Sequence, residues 1–171
     1  MTREQVQAGK TSVWTDKAAR QLIVERVFDA PRDIVWKAWT DPVELAKWWG
    51  PRGWATTNYK LELKPGGVWH YCMRGPDSVE SWGKGVYREI LAPERLVYFD
   101  VFSDAEGTTN EAMPGMLITL EFADLGGKTK ITSTAELGSA EQLDAIIAMG
   151  VVQGLSETWD RLQELVSVAS A

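Results

Sequence analysis

In 171 residues the sequence has a single cysteine, Cys72, and a single histidine, His70. One cysteine cannot form an internal disulfide, which fits a reducing compartment. Any Ser-His-Asp or Cys-His arrangement would have to use His70, and nothing in the sequence suggests an oxyanion hole to go with it. One Cys and one His do not complete a tetrahedral metal set. No stretch approaches the ~18 consecutive apolar residues of a membrane-spanning helix. Basic side chains are the minority charge, 18 Lys and Arg against 24 Asp and Glu, for a formal charge of -6. Nucleic acids select basic faces, so that partner class is set aside. The N-terminus, MTREQVQAGKTSVWTDK, has no apolar run and so no secretory signal. A P-loop and a dinucleotide fingerprint are also missing. The expectation is a cytoplasmic protein with no metal, no cofactor, no nucleic-acid partner and no membrane span.

Tryptophan is plentiful by contrast. There are nine, and three fall within KWWGPRGW, residues 47–54. The length suits one domain. Residues 1–18 lack periodicity and read as an N-terminal extension; 19–171 read as the domain. RQLIVERVF (20–28) alternates like a strand. DAPRDIVWKAWT then opens a helix, with Pro31 at its start and Asp33 at the positive end of its dipole. A second helix follows, capped by Asp41, with Pro42 in its first turn and Glu44 three residues after the cap. Gly50 and Pro51 end it. Adjacent helical residues point about 100° apart, so Trp48 and Trp49 face different neighbours, one towards the core and one towards an edge or opening.

From residue 56 the period is two. TTNYKLELK, VWHYCMR, WGKGVYREIL, RLVYFDVFS, GMLITLEF and KTKITSTAEL read as strands separated by Gly/Pro turns. The polar stretch 104–115 is a longer loop and a candidate lip. Ser139 with Gln142 marks the start of one long final helix. Its apolar face runs through Leu143, Ile147, Gly150, Val151, Gly154, Leu155 and Thr158, with Arg161 mostly off that face.

The candidate ligand-contacting residues follow from these patterns. Trp49 and Trp54 either border a pocket or plug a corner. Gly150 and Gly154, each costing ~1 kcal/mol in a helix interior, mark a bay for a ligand, close packing or a bend. Trp69, Tyr71 and Met73 share one strand face, as do Met116 and Ile118. Tyr71 and Tyr87 carry hydroxyls that need a partner when buried, from a ligand or from the protein. His70 and Cys72 fall on the opposite strand face.

The strings VFDAPRDIVWKAWTDPVELAKWWGP, KPGGVWHYCMRGPD, GVYREILAPERLVY and LEFADLGGKTKITST resemble the homologues of the activator of heat-shock protein 90 ATPase (the AHSA-type family). That family lies in the START/birch-pollen-allergen-like (SRPBCC) superfamily. The likeness covers roughly 21–168. It implies an α+β helix-grip fold, with a curved antiparallel sheet wrapped around a long C-terminal helix and two short helices between the first and second strands. It also implies a cavity between helix and sheet, where superfamily members bind lipids, sterols, hormones or polyketides. It supplies no catalytic residues. The expected function is therefore binding of an apolar small molecule. One rival is a cyclase/aromatase-like enzyme, which a buried acid in the cavity would favour. The other is a chaperone-associated interaction module, which a filled cavity would favour; chaperone activators carry an additional N-terminal domain. A homodimer is left open.

Overall fold

The computed structural model describes residues 3–169. The chain runs β1 (Arg3–Gln7), β2 (Ser12–Asp16), β3 (Gln21–Phe28), α1 (Arg32–Thr40), α2 (Pro42–Trp48), β4 (Ala55–Leu61), β5 (Val68–Arg74), β6 (Glu80–Leu91), β7 (Arg95–Phe102), β8 (Met116–Asp124), β9 (Thr129–Glu136), α3 (Ala140–Ala148) and α4 (Val151–Ala169). All nine strands form one antiparallel sheet in the order β1-β2-β3-β9-β8-β7-β6-β5-β4. Its apolar face needs a cover, and α4 supplies it together with α1 and α2. This is the helix-grip architecture.

Two elements differ in architecture from the sequence reading. Residues 3–16, read as an extension, form a hairpin that adds two strands beside β3. The two short helices therefore connect the third and fourth strands. The hairpin is hard to see because REQVQ is polar apart from an exposed Val6 and almost wholly exposed. Its anchor is in β2, where Val13 is fully buried. Side chains also tie it to α4: Gln7 Nε2 donates to Ser156 Oγ at 2.8 Å. Nearby, the buried Arg26 donates to Thr11 Oγ1 at 3.1 Å and to Asp160 at 2.6 Å.

The second difference is in the final helix, which is broken. Met149 ends α3 and Gly150 takes φ +87°, a left-handed conformation that glycine adopts without steric cost. Gly150 is exposed at this joint and does not lie on a buried helix face.

Helix starts are built from the expected residues. Asp41 Oδ1 accepts from the Val43 and Glu44 amides at 2.9 and 3.2 Å, and Ser139 Oγ accepts from the Gln142 amide at 3.1 Å. Pro31 sits one position earlier than read, at the cap, where its carbonyl accepts from Ile34 and Val35.

The concave face is assembled by register. Tyr87 lies opposite Tyr98, Tyr98 opposite Ile118, Ile118 opposite Ala135, and Ala135 opposite Leu22. All five are buried. One step along the strands runs a second row of Trp69, Gly85, Asp100 and Met116. Trp159 of α4 packs down near the first row and meets Phe28 at a ring distance of 5.6 Å.

Candidate functional site

Between the concave face, α4 and the corner that joins α2 to β4 lies a partly open cavity of about 240 Å³. An apolar cavity of ~150 Å³ already admits a benzene-sized guest. Its walls are overwhelmingly apolar, which is the usual make-up of a small-molecule site.

Two glycines let the rings of this wall lie against the sheet. Gly83 and Gly85 sit two apart on β6, so both face the cavity side. A Cβ at Gly83 would stand 2.3 Å from the Tyr71 hydroxyl, and one at Gly85 would meet Trp69 and Tyr98 at 3.2 Å. The Tyr71 ring thus lies across Gly83 and reaches the neighbouring strand. There its hydroxyl donates to Asp100 Oδ1 at a long 3.4 Å. Glycine inside a strand weakens it; here it makes room for the Tyr71, Trp69 and Tyr98 rings.

The WWGPRGW corner forms one wall. Trp48 is fully buried, and its Nε1 donates to the Ala38 carbonyl at 2.8 Å. Trp49 turns the other way into the cavity wall, edge-on to Trp69 at 4.7 Å. Arg161 of α4 clamps the corner: Nη1 donates to the carbonyls of Gly50, Pro51 and Trp54 at 2.8, 3.3 and 3.1 Å, and Nη2 to that of Lys47 at 3.2 Å. The sequence reading placed Arg161 off the buried face. In the structure the helix turns its guanidinium onto four carbonyls of the tight corner, of which Pro51 O also accepts from the Trp54 amide at 3.1 Å.

Of the candidate residues, Trp49, Tyr71, Met73, Met116, Ile118, Gly154 and Thr158 line the cavity. Four do not. Trp54 packs over Gly75 at the end of β5, where a Cβ would meet its ring at 2.6 Å, so it fills the corner. Trp69 lies behind the wall, stacked on Tyr71 at 4.5 Å with its Nε1 donating to Asn58 Oδ1 at 2.8 Å. Tyr87 is buried beside Tyr98, 6.3 Å away ring to ring. Gly150 is at the helix joint. Thr158 uses its hydroxyl within α4, donating to the Gly154 carbonyl at 2.7 Å.

Asp100, Tyr98 and Trp39 also line the cavity and were not among the candidates. The signal for the first two was present in RLVYFDVFS, where Leu96, Tyr98, Asp100 and Phe102 share one strand face. An acid on an apolar face is the informative exception.

Among the described residues, Asp100 is the only carboxylate in the wall, and no Lys, Arg or His joins it there. It is largely enclosed by protein and keeps some solvent access through the cavity. Burial pushes its pKa up to about 7, and the Tyr71 hydrogen bond offsets only part of that shift. Burial, and then the Asp100 charge, raise the Tyr71 phenol well above the usual range; Tyr98 is raised for the same two reasons. Two indole nitrogens in the wall, Trp39 Nε1 and Trp49 Nε1, are buried without a hydrogen-bond partner. The Trp49 N–H points towards the Tyr71 oxygen and counters part of its shift, without reaching hydrogen-bond geometry.

On the convex face His70 Nε2 donates to the Asp104 carbonyl at 3.0 Å and its ring stacks on Trp82 at 5.2 Å. The Cys72 thiol is pushed up, mainly by burial. Asp104 Oδ1 accepts from the Glu106 and Thr108 amides at 3.0 and 2.8 Å, and Lys84 Nζ donates to Gly107 O at 2.9 Å. The first half of the 104–115 loop is therefore a folded turn on the convex face. The second half reaches the cavity mouth through Pro114. Among the described residues, no group of three or more His, Cys, Asp or Glu could hold a metal ion, and no helix is long and apolar enough to cross a membrane.

The fold and its cavity define the chain as a helix-grip protein of the SRPBCC type. Residues 29–167 match the family described as Activator of Hsp90 ATPase homolog 1-like protein, and the chain belongs to that family. Solved structures agree. The chain is similar to a protein from Arthrobacter aurescens (TM-score 0.88, 30% identity, covering 93% of this chain and 92% of that one). It is also similar to protein Ms6760 from Mycobacterium smegmatis (0.83, 29%, 90% and 94%). A protein from Staphylococcus epidermidis matches as well (0.79, 30%, 90% and 93%). No curated protein matches the sequence.

Proposed function

We propose that this protein binds one apolar, ring-containing small molecule in the cavity between α4 and the sheet. The observation that carries this reading is the cavity itself: about 240 Å³ of apolar-walled space that the nine tryptophans leave unfilled. The driving force would be apolar area leaving water, worth ~25 cal/mol per Å² before the costs of association. Asp100, Tyr71 and the unpartnered indole N–H groups would orient the guest. A cavity filled by its own aromatics would have favoured the chaperone-associated module, and this cavity is open.

Native mass spectrometry of the protein as purified from cells tests the reading, with Gly154→Leu as the control that fills the cavity. The expected result is a one-to-one adduct on the wild type that denaturation releases and the variant lacks. A bare wild-type mass, or the same adduct on both proteins, argues against it.

A second reading has its own support in the buried Asp100–Tyr71 pair. A carboxylate that titrates near neutrality in an apolar cavity suits general acid–base chemistry. The guest would then be a substrate with an exchangeable C–H. Its test is solvent-deuterium uptake into the extracted guest: wild type should catalyse uptake and Asp100→Asn should not. Equal uptake by both removes this reading.

A further inference from the structure

The cavity carries a charge pattern that narrows its guest. Asp100 is the sole carboxylate in the wall, and every other titratable group lining it is a phenol. From β5 the group facing Asp100 is Tyr71; from β7 itself it is Tyr98. The β6 and β8 residues paired with it are Gly85 and Met116, which carry no charge. The stretches of α4 and of the 49–51 corner that line the cavity contribute no charged side chain either. Among the described residues, only the long 3.4 Å contact from Tyr71 reaches the carboxylate. A buried carboxylate lacking a cation is costly unless something pairs with it. Aromatic faces, which attract cations, crowd the same wall: Trp39, Trp49, Tyr71, Tyr98 and Trp159.

We infer that the guest is a lipophilic amine, bound as its ammonium, with the N⁺–H directed at Asp100 and the apolar body against the aromatic wall. This rests on the cavity being a ligand site, as proposed above. Such a guest supplies the missing counter-charge and a charge-assisted hydrogen bond. A lipophilic carboxylate of the same shape would place two like charges in one apolar space. Ammonium binding requires the ionised acid, so affinity for the amine rises with pH across neutrality, while Tyr71 and Tyr98 stay protonated.

Three probes with one ring system test this by calorimetry: 2-(1-naphthyl)ethylamine, 2-(1-naphthyl)ethanol and 1-naphthylacetate, on wild type and Asp100→Asn. In wild type the amine should bind at least about tenfold tighter than the alcohol, as expected of a charge-assisted pair, and the carboxylate should be weakest. In Asp100→Asn the amine-to-alcohol ratio should fall to about one. The near-isosteric change removes a buried charge without changing the packing, and circular dichroism verifies the fold. A wild-type ratio near one, a carboxylate that binds tightest, or a ratio unchanged in Asp100→Asn overturns the inference while leaving the cavity as an apolar site. If none of the three binds, the cavity reading fails and this inference fails with it.

Discussion

At the scale of single residues, two positions shape the cavity. Asp100 gives it a titratable floor. When unfolded this acid should titrate near 3.8, and when folded it does so at about 7. Between those values the folded state holds a proton that the unfolded state has released. The Asp100 contribution to stability is therefore fully present below 3.8 and is lost as the pH rises through about 7. Asp100→Asn cannot ionise. Thermal melts of the ligand-free protein should match wild type in acid and exceed it above neutrality; a variant less stable than wild type at alkaline pH contradicts the burial argument. Gly83 decides the shape. Gly83→Ala drives a methyl into the Tyr71 ring, and such overpacking typically costs ~1–3 kcal/mol. Denaturant unfolding should show a loss of that size, and ordinary stability would mean that the ring moves aside easily.

At the scale of elements, the two glycines of the final helices separate cleanly. Gly150 holds φ +87° at the joint, so Gly150→Ala should destabilise by ~1–2 kcal/mol, the cost of a left-handed L-residue. Gly154 is helical, and a Cβ there would find only Pro51 Cγ, at 3.9 Å. Gly154→Ala should stabilise by roughly 1 kcal/mol through helix propensity and weaken guest binding by narrowing the cavity. Melting and titration of the two variants check both signs. The clamp is a third element-scale feature. Arg161→Met takes the guanidinium from four corner carbonyls, of which Pro51 O keeps the Trp54 amide, and should cost about 2 kcal/mol. Most elements were legible in the sequence because their signals are local: period-two alternation, an Asp41 cap, and Gly/Pro turns. What was missed depends on partners distant in sequence. The β1–β2 hairpin needs β3 beside it before its polar first strand makes sense. The break at Gly150 reads the same as a continuous apolar face. Tyr87 and Trp69 satisfy the same alternation as Tyr71, and only sheet curvature and the α4 position separate wall from core. The paired glycines in WGKGVY and the acid in RLVYFDVF were readable signals of the ring-lined wall and its carboxylate.

At the scale of the whole molecule, the sheet, the broken helix and the tryptophan corner together hold an apolar space open against collapse. Native interiors are close-packed, and voids larger than a water are few, so a cavity of about 240 Å³ with a buried acid in its wall calls for an occupant. The Arg161 clamp and the Arg26–Asp160 pair fix α4 over the sheet at the corner and on the β3 side, so the cavity should be preformed. The most direct test is fluorescence titration of the ligand-free protein with the neutral probe N-phenyl-1-naphthylamine, in wild type and Gly154→Leu side by side. The account predicts saturable one-to-one binding to wild type that the cavity-filling variant loses while keeping its fold. No binding to wild type, or identical binding to both, would contradict it.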